Sequence, residues 1–349
     1  MKEQLIGKTL DDLQQVCKDL NMPSFTAKQI TEWLYKKKAA SIDQMTNISL
    51  AHREKLNESY HIGRQNPAQQ QRSADGTAKY LFAVNEKYFI ESVFIPDKER
   101  ATLCISSQIG CKMNCLFCMT GKQGFKGQLS AADIINQVLS IPESEKLTNL
   151  VFMGMGEPLD NTGELLKVLQ ILTAPYGFAW SPKRITVSTI GLFPSLKKFL
   201  EESSCHLAIS LHSPFHEERL NWMPIEKKYP AEDLVHLLRN YDFEHQRRLS
   251  FEYICFGGIN DDPVHAKAVV KLLSGLVCRV NLIKYHKIPG IDLPSSQEEN
   301  MIRFRDYLSK HGIISTIRSS RGEDILAACG MLSTKENCKD RDKNVSLHS

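Results

Sequence analysis

The sequence predicts an α/β fold: a partial or open (β/α)6 barrel, preceded by a small N-terminal helical domain and a β extension. Three observations carry this expectation. From about residue 97 to 320, short apolar runs of strand character alternate with helical periodicities, and repeated strand–helix units impose parallel strands joined by right-handed crossovers. Two β-like runs flanking a short polar turn precede that region, and the first 60 residues carry helical spacing. The alternation also suits a doubly wound sheet, because pattern alone does not reveal how the strands are ordered.

Residues 1–60 form the predicted helical domain. Ala27, Ile30, Trp33 and Leu34 follow the three–four spacing of a buried helix face, and Lys36-Lys37-Lys38 closes the stretch. That basic cluster suits a solvated helix C-terminus, where it complements the dipole, as well as it suits RNA contact. The extension, 61–96, holds β-like runs at 79–84 and 88–95 around Asn85-Glu86-Lys87, with Glu91 in the second run. The core is expected from Asp97-Lys98-Glu99-Arg100 to residue 333. Its strands are predicted at 103–106, 150–154, 184–189, 206–211, 250–255 and 280–285. Its first helix starts at Ser130, with Asp133 completing a capping box and Ile134, Ile135, Val138 and Leu139 facing inward. Further helices are predicted at 162–173, 194–203, 231–241, 263–274 and 296–311. Residues 334–349 turn polar and read as a flexible tail.

A chain of 349 residues can bury a sizeable core, in one large domain with an appendage or in two domains. With 42% hydrophobic and 24% charged residues, composition excludes a disordered or fibrous class. No apolar run is long enough to span a bilayer and the start lacks a signal-peptide apolar region, so a cytoplasmic protein without a membrane partner is expected. Ten cysteines in such a chain point to metal binding, catalysis or burial ahead of structural disulfides. A net charge of +4 permits a nucleic-acid partner without requiring one.

Cys111, Cys115 and Cys118 form a Cys-x3-Cys-x2-Cys triplet with no fourth cysteine at short range. Structural zinc sites and ferredoxin clusters take four protein ligands, whereas three leave a coordination position open for chemistry. The triplet lies just after the first predicted barrel strand, and in parallel barrels the site forms at that end of the strands. Polar residues recur at the same ends: Gly154-Met155-Gly156-Glu157-Pro158, Ser188-Thr189, Ser210-Leu211-His212 and Tyr285-His286. Together they describe one rim. Gly154 and Gly156 are not a dinucleotide fingerprint, since Leu159 stands at the third glycine's place. They can instead let backbone carbonyls approach a ligand's ammonium group. Taken alone, His212 reads as a surface histidine or helix cap.

On these residues the chain resembles the radical S-adenosylmethionine superfamily. More narrowly it resembles the dual-specificity RNA methyltransferases called RlmN, through Cys104-Ile105-Ser106-Ser107-Gln108, the run 152–159, Ser188-Thr189-Ile190-Gly191, Ser210-Leu211-His212-Ser213 and the run 321–330 ending in Cys329-Gly330. The resemblance spans about residues 20–332. It implies a radical S-adenosylmethionine barrel in which Cys111, Cys115 and Cys118 hold one 4Fe-4S cluster whose open iron chelates S-adenosylmethionine, two molecules being used per turnover. It implies methylation of adenine carbon 2 in 23S rRNA, in the peptidyl transferase region, and in tRNA beside the anticodon. That carbon is electron-poor, which makes a radical route chemically reasonable. Cys329 is then the S-methylcysteine intermediate, Glu91 the proton acceptor at carbon 2, and Cys104 the thiol that releases the product through a transient disulfide with Cys329. Gly156 and Glu157 would meet the ammonium end of S-adenosylmethionine. Ser188, Ser210, Leu211 and His212 would meet its ribose and carboxylate.

His286 would take the last cofactor position, where the family usually has asparagine; histidine also donates and accepts hydrogen bonds. Met119 departs from the small residue usual after the third cluster cysteine. Read without the resemblance, Glu91 is first a carboxylate on the solvent face of a strand; its apolar neighbours leave burial as the other reading, and burial would raise its proton affinity. Cys205, Cys255 and Cys278 read as core and Cys17 as helical, while Cys338 falls in the tail. Arg247, Arg248, Arg318 and Arg321 could meet phosphates or simply be solvated. An electron donor such as flavodoxin or ferredoxin and a monomeric state are expected. The alternatives are a Cfr-like methyltransferase acting on adenine carbon 8, and a non-enzymatic iron–sulfur or zinc module that binds RNA. Pro158 and Arg321-Gly322-Glu323-Asp324 favour the carbon-2 branch.

Overall fold

The computed structural model describes residues 2–245 and 247–333; the predicted tail, with Cys338, lies outside the described residues. Ten strands make one sheet, and they lie side by side in the order in which they occur in the chain. They are β1 (Gln69–Arg72), β2 (Ala78–Ala83), β3 (Phe89–Asp97), β4 (Arg100–Cys104), β5 (Asn149–Phe152), β6 (Ile185–Thr189), β7 (His206–Ser210), β8 (Leu249–Cys255), β9 (Arg279–Lys284) and β10 (Ile314–Arg318). Pairing is antiparallel from β1 to β4 and parallel from β4 to β10. Strands β1 and β10 end the sheet at opposite edges, so the barrel is open, as expected.

The parallel part has seven strands, one more than predicted. The extra strand is β10, an edge strand paired only with β9 and alternating between buried and exposed positions. Central parallel strands are covered on both faces, and β8 is buried at every position, which makes it a continuous apolar run. An edge strand lacks that signature. The predicted hairpin is β2–β3, and its strand β3 continues through the turn at Lys98 into an antiparallel pair with β4. The extension and the barrel therefore share one sheet.

The N-terminal region forms helices Leu10–Asp19, Thr26–Thr31 and Leu50–Ser59, with a π-helical turn at Glu32–Lys36 continuing the second. Ala27, Ile30 and Leu34 are buried and Trp33 is half-buried under the Lys37 ammonium, 4.0 Å from its ring centroid. Lys37 and Lys38 of the basic cluster pair with Glu32 and Glu145. Leu5, Ile6 and Leu13 join the same apolar core as Ile134, Ile135 and Leu165. The barrel helices follow the prediction within a few residues: Ala131–Leu139, Thr162–Thr173, Phe193–Glu202, Ala231–Leu238, Pro263–Leu273 and Glu298–Lys310. Ser130 and Asp133 form the predicted capping box. Cys17, Cys205 and Cys255 are buried and Cys278 is half-buried.

One buried side chain holds the C-terminal ends of β6 and β7 together. Arg219, on helix His216–Trp222, is wholly inaccessible to solvent. It donates to Leu211 O (3.1 Å), Ser210 O (3.1 Å) and Ile190 O (3.5 Å), and its remaining Nη pairs with buried Glu226. Arg219→Met should lower stability by about 3–5 kcal/mol, because it leaves Glu226 a buried charge without its partner. Arg219→Met/Glu226→Gln should recover more than about 1 kcal/mol of that loss. Urea denaturation of both variants checks this; equal losses would refute the coupling.

Candidate active site

A cavity of ≈160 Å³ opens at the C-terminal ends of the parallel strands. Cys111, Cys115 and Cys118 form one wall of it. The loop carrying them is drawn in by Leu116 N–H donating to Trp222 O (2.8 Å) and by Cys118 N–H donating to Cys115 O (3.2 Å). Burial pushes the Cys111 thiol up to about 12 and Cys115 well above its ordinary value. Thiols so placed ionise only against a compensating cation. Among the described residues no three His, Cys, Asp or Glu side chains converge as a site for a single metal ion. The donor set, three soft thiols on one wall with no disulfide among the described residues, suits a multi-iron cluster in place of a closed zinc tetrahedron.

Gly156, Glu157, Ser188, Ser210 and His212 line the same cavity. Glu157 is buried, and its carboxylate accepts from Thr189 Oγ1 (2.5 Å), Ile190 N (3.0 Å) and Leu159 N (3.0 Å). Burial outweighs these bonds and raises it to about 7. The glycines before it serve a purpose that sequence reasoning missed. A Cβ on Gly154 would lie 2.6 Å from Ile105 O, and one on Gly156, at φ +102°, would lie 2.5 Å from Gln108 Cβ. The run 104–108 thus packs against the glycine turn, and Met155 N–H to Ser106 Oγ and Glu157 N–H to Gln108 Oε1, both 2.8 Å, complete the clamp. A buried Ser-Ser-Gln run following a strand was the available signal.

His212 sits at φ +61°, its Nδ1 accepting from Ile254 N–H (3.0 Å), which leaves the ring proton on Nε2. Leu211 and His286 are buried but do not line the cavity. Leu211 packs into the core, and its backbone carries the strand end. His286 turns its Nε2 to Ser320 Oγ (3.0 Å) and its Nδ1 to Glu323 (3.2 Å). It therefore faces the segment leading to Cys329.

Cys329 lies on the cavity wall, exposed to the space inside it while surrounded by protein atoms. Burial raises its thiol, Arg318 on the same wall opposes the rise, and Glu252 adds to it. Glu252 and Arg318 form a pair at 3.4 Å inside the cavity. Glu252 was not singled out from sequence, although a carboxylate within a fully buried strand was visible there. Cys104, at the end of β4, is buried behind the wall; burial pushes it up to about 12, and the neighbouring Cys329 thiol adds to the rise. Glu91 is fully buried and faces the interior, its carboxylate bound by Lys79 Nζ (3.2 Å) and Ser333 N–H (3.0 Å).

This fold and cavity define a radical S-adenosylmethionine enzyme. Residues 105–268 match the Radical SAM superfamily, and residues 3–62 match the Ribosomal RNA large subunit methyltransferase N-terminal domain. The solved structure of a radical SAM methyltransferase from Sphaerobacter thermophilus superposes with a TM-score of 0.89 at 35% identity, covering 95% of this chain and 100% of that one. A probable dual-specificity RNA methyltransferase RlmN from Phocaeicola vulgatus is 60% identical over 99% of both chains. The dual-specificity RNA methyltransferase RlmN from Syntrophus aciditrophicus is 41% identical over 94% of this chain and 95% of its own. The chain belongs to the RlmN family of radical S-adenosylmethionine RNA methyltransferases. Membership implies S-adenosylmethionine and a 4Fe-4S cluster. Among the described residues no helix is long and apolar enough to cross a membrane.

Burial, aided by Arg219, pushes His212 down from 6.5 to about 3. The unfolded chain gains a proton at this residue as pH falls below 6.5, and the folded chain does not until about 3. The stability His212 contributes is therefore complete above that upper value and is lost as pH falls toward the lower one. His212→Gln should flatten the acid limb of a stability–pH curve, measured by urea denaturation; an unchanged slope would refute the assignment.

Proposed function

We propose that this enzyme methylates carbon 2 of adenine in 23S rRNA and in tRNA beside the anticodon, with Cys329 carrying the methyl group on its sulfur. The observation that supports the reading most directly is the shared cavity: Cys329 lines it together with the three loop cysteines and the strand-end residues. Cys111, Cys115 and Cys118 would hold the cluster, leaving one iron open. When bound, the cluster and two molecules of S-adenosylmethionine supply one-electron chemistry and the methyl group. Gly156, Glu157, Ser188, Ser210 and His212 orient the cofactor. The target adenine must leave its stack to reach the cavity.

The chain's own residues then divide the remaining work. Glu91, buried and held by Lys79, takes the proton from carbon 2. The Cys104 thiolate attacks the Cys329 sulfur; a sulfur–sulfur bond forms as the carbon–sulfur bond breaks, the bonding pair leaves with the methylene carbon, and that carbon takes up a proton to become the methyl group of the freed RNA. Arg318 opposes the rise at both thiols, and so favours the Cys104 thiolate that attacks and, before that sulfur is alkylated, the Cys329 thiolate that takes up the methyl group. A flavodoxin or ferredoxin would deliver the electron.

Mass spectrometry of nucleosides from treated rRNA should find 2-methyladenosine; 8-methyladenosine would establish the Cfr-like alternative. Cys329→Ala should lose RNA methylation, at least about a thousandfold, while visible absorbance reports an intact cluster. Retained turnover would sink the carrier role. Cys104→Ala should accumulate a covalent protein–RNA adduct on denaturing gels, and its absence would count against the resolving role.

A further inference from the structure

A second cavity, of ≈310 Å³, lies at the opposite pole of the barrel. Its walls come from the starts of the parallel strands: His206 of β7, Leu249 of β8, Arg279 of β9 and Ile314 of β10. Lys183, Arg247 and Arg248 add to Arg279, so four cations meet a single carboxylate, Glu244. Among the described residues none of the four forms an ion pair, either with Glu244 or with any other acid. Arg247 donates through Nη to Leu200 O (3.0 Å), but its buried Nε has no hydrogen-bond partner among the described residues. His206 is buried between these cations, its Nδ1 accepting from Arg248 N–H at 2.8 Å. Val277 and Ile314 stand beside them 53% and 54% exposed, which gives the charged cavity an apolar flank.

Unpaired like charges gathered in a concave site raise its positive potential and draw in counter-charge. Guanidinium groups present forked donors that match phosphate oxygens, and several of them offset more than one negative charge. We propose that this cavity is a phosphate-binding site, remote from the catalytic cavity, in which Arg247, Arg248 and Arg279 hold phosphoryl groups. The apolar flank suits the sugar of a nucleotide unit. The phosphoryl groups come from an RNA backbone or from a free polyphosphate, and two measurements on the holoenzyme separate these sources. Arg248 and Arg279 are exposed at strand starts, so Arg248→Gln/Arg279→Gln should leave the fold intact, as a thermal melt would verify.

In the first measurement, inorganic pyrophosphate is titrated calorimetrically into wild type and the double variant. A weakening of about tenfold or more identifies a free-polyphosphate site. In the second, a short single-stranded RNA is followed by anisotropy across a salt series. A fall of about 1 to 2 in the slope of log K against log salt identifies backbone contact. No change in either measurement overturns the proposal. If the double variant melts early, Arg248→Gln alone takes its place in both arms. The pyrophosphate arm needs neither RNA nor methyl transfer, so its outcome is independent of the RNA reading.

Discussion

Everything at the catalytic rim depends on how the carbonyl ends of parallel strands are satisfied once they leave the sheet. Arg219 does this from within the protein. One guanidinium reaches carbonyls from two strand ends while Glu226 balances its charge. The fork geometry matters as much as the charge, because an ammonium could not serve three carbonyls and a carboxylate in one plane. With β6 and β7 so tied, Ser188, Ser210 and His212 are presented to one cavity from three backbone positions. Glu157 repeats the device with opposite sign, its carboxylate gathering N–H groups from its own turn and from the end of β6.

The two thiols near the cavity are held in different ways. Cys104 belongs to the sheet, paired in register with both Val93 and Val151. Cys329 belongs to a segment built on left-handed Gly322 and Leu326 and a short 3-10 turn. That segment is fastened to the hairpin by Gly322 N–H to Asp75 and Lys79 Nζ to Leu326 O, and to the cysteine loop by Met119 N–H to Gly330 O. A rigid thiol thus faces one on a strap held by a handful of hydrogen bonds, and such straps occupy the low-stability end of a fold.

How much of this could be read from the sequence follows from burial. The central strands were legible because both faces are covered, and the helices because one face is. Strand β10 was not, since an edge strand half open to water has no apolar run. The rim residues were legible because parallel strands present their ends together. What the side chains do there was less so: Gly154 and Gly156 accommodate the neighbouring loop, and His286 turns to Ser320 and Glu323. These outcomes depend on distant segments meeting, as does the gathering of Arg247 and Arg248 with Lys183 and Arg279. No local pattern encodes such a meeting.

The order of the strands also has a consequence in time. Because each strand lies beside its sequence neighbour, the sheet can grow from one edge to the other as the chain leaves the ribosome, with little need to close long loops. The strap is the exception. Its bonds from Gly322 to Asp75 and from Ser333 to Glu91 join residues 247 and 242 apart. This late stretch must travel back to the first strands of the sheet, so a nascent chain forms the rest of the cavity before Cys329 reaches it. The strand-end side of the cavity can thus be complete while its wall at Cys329 is still open.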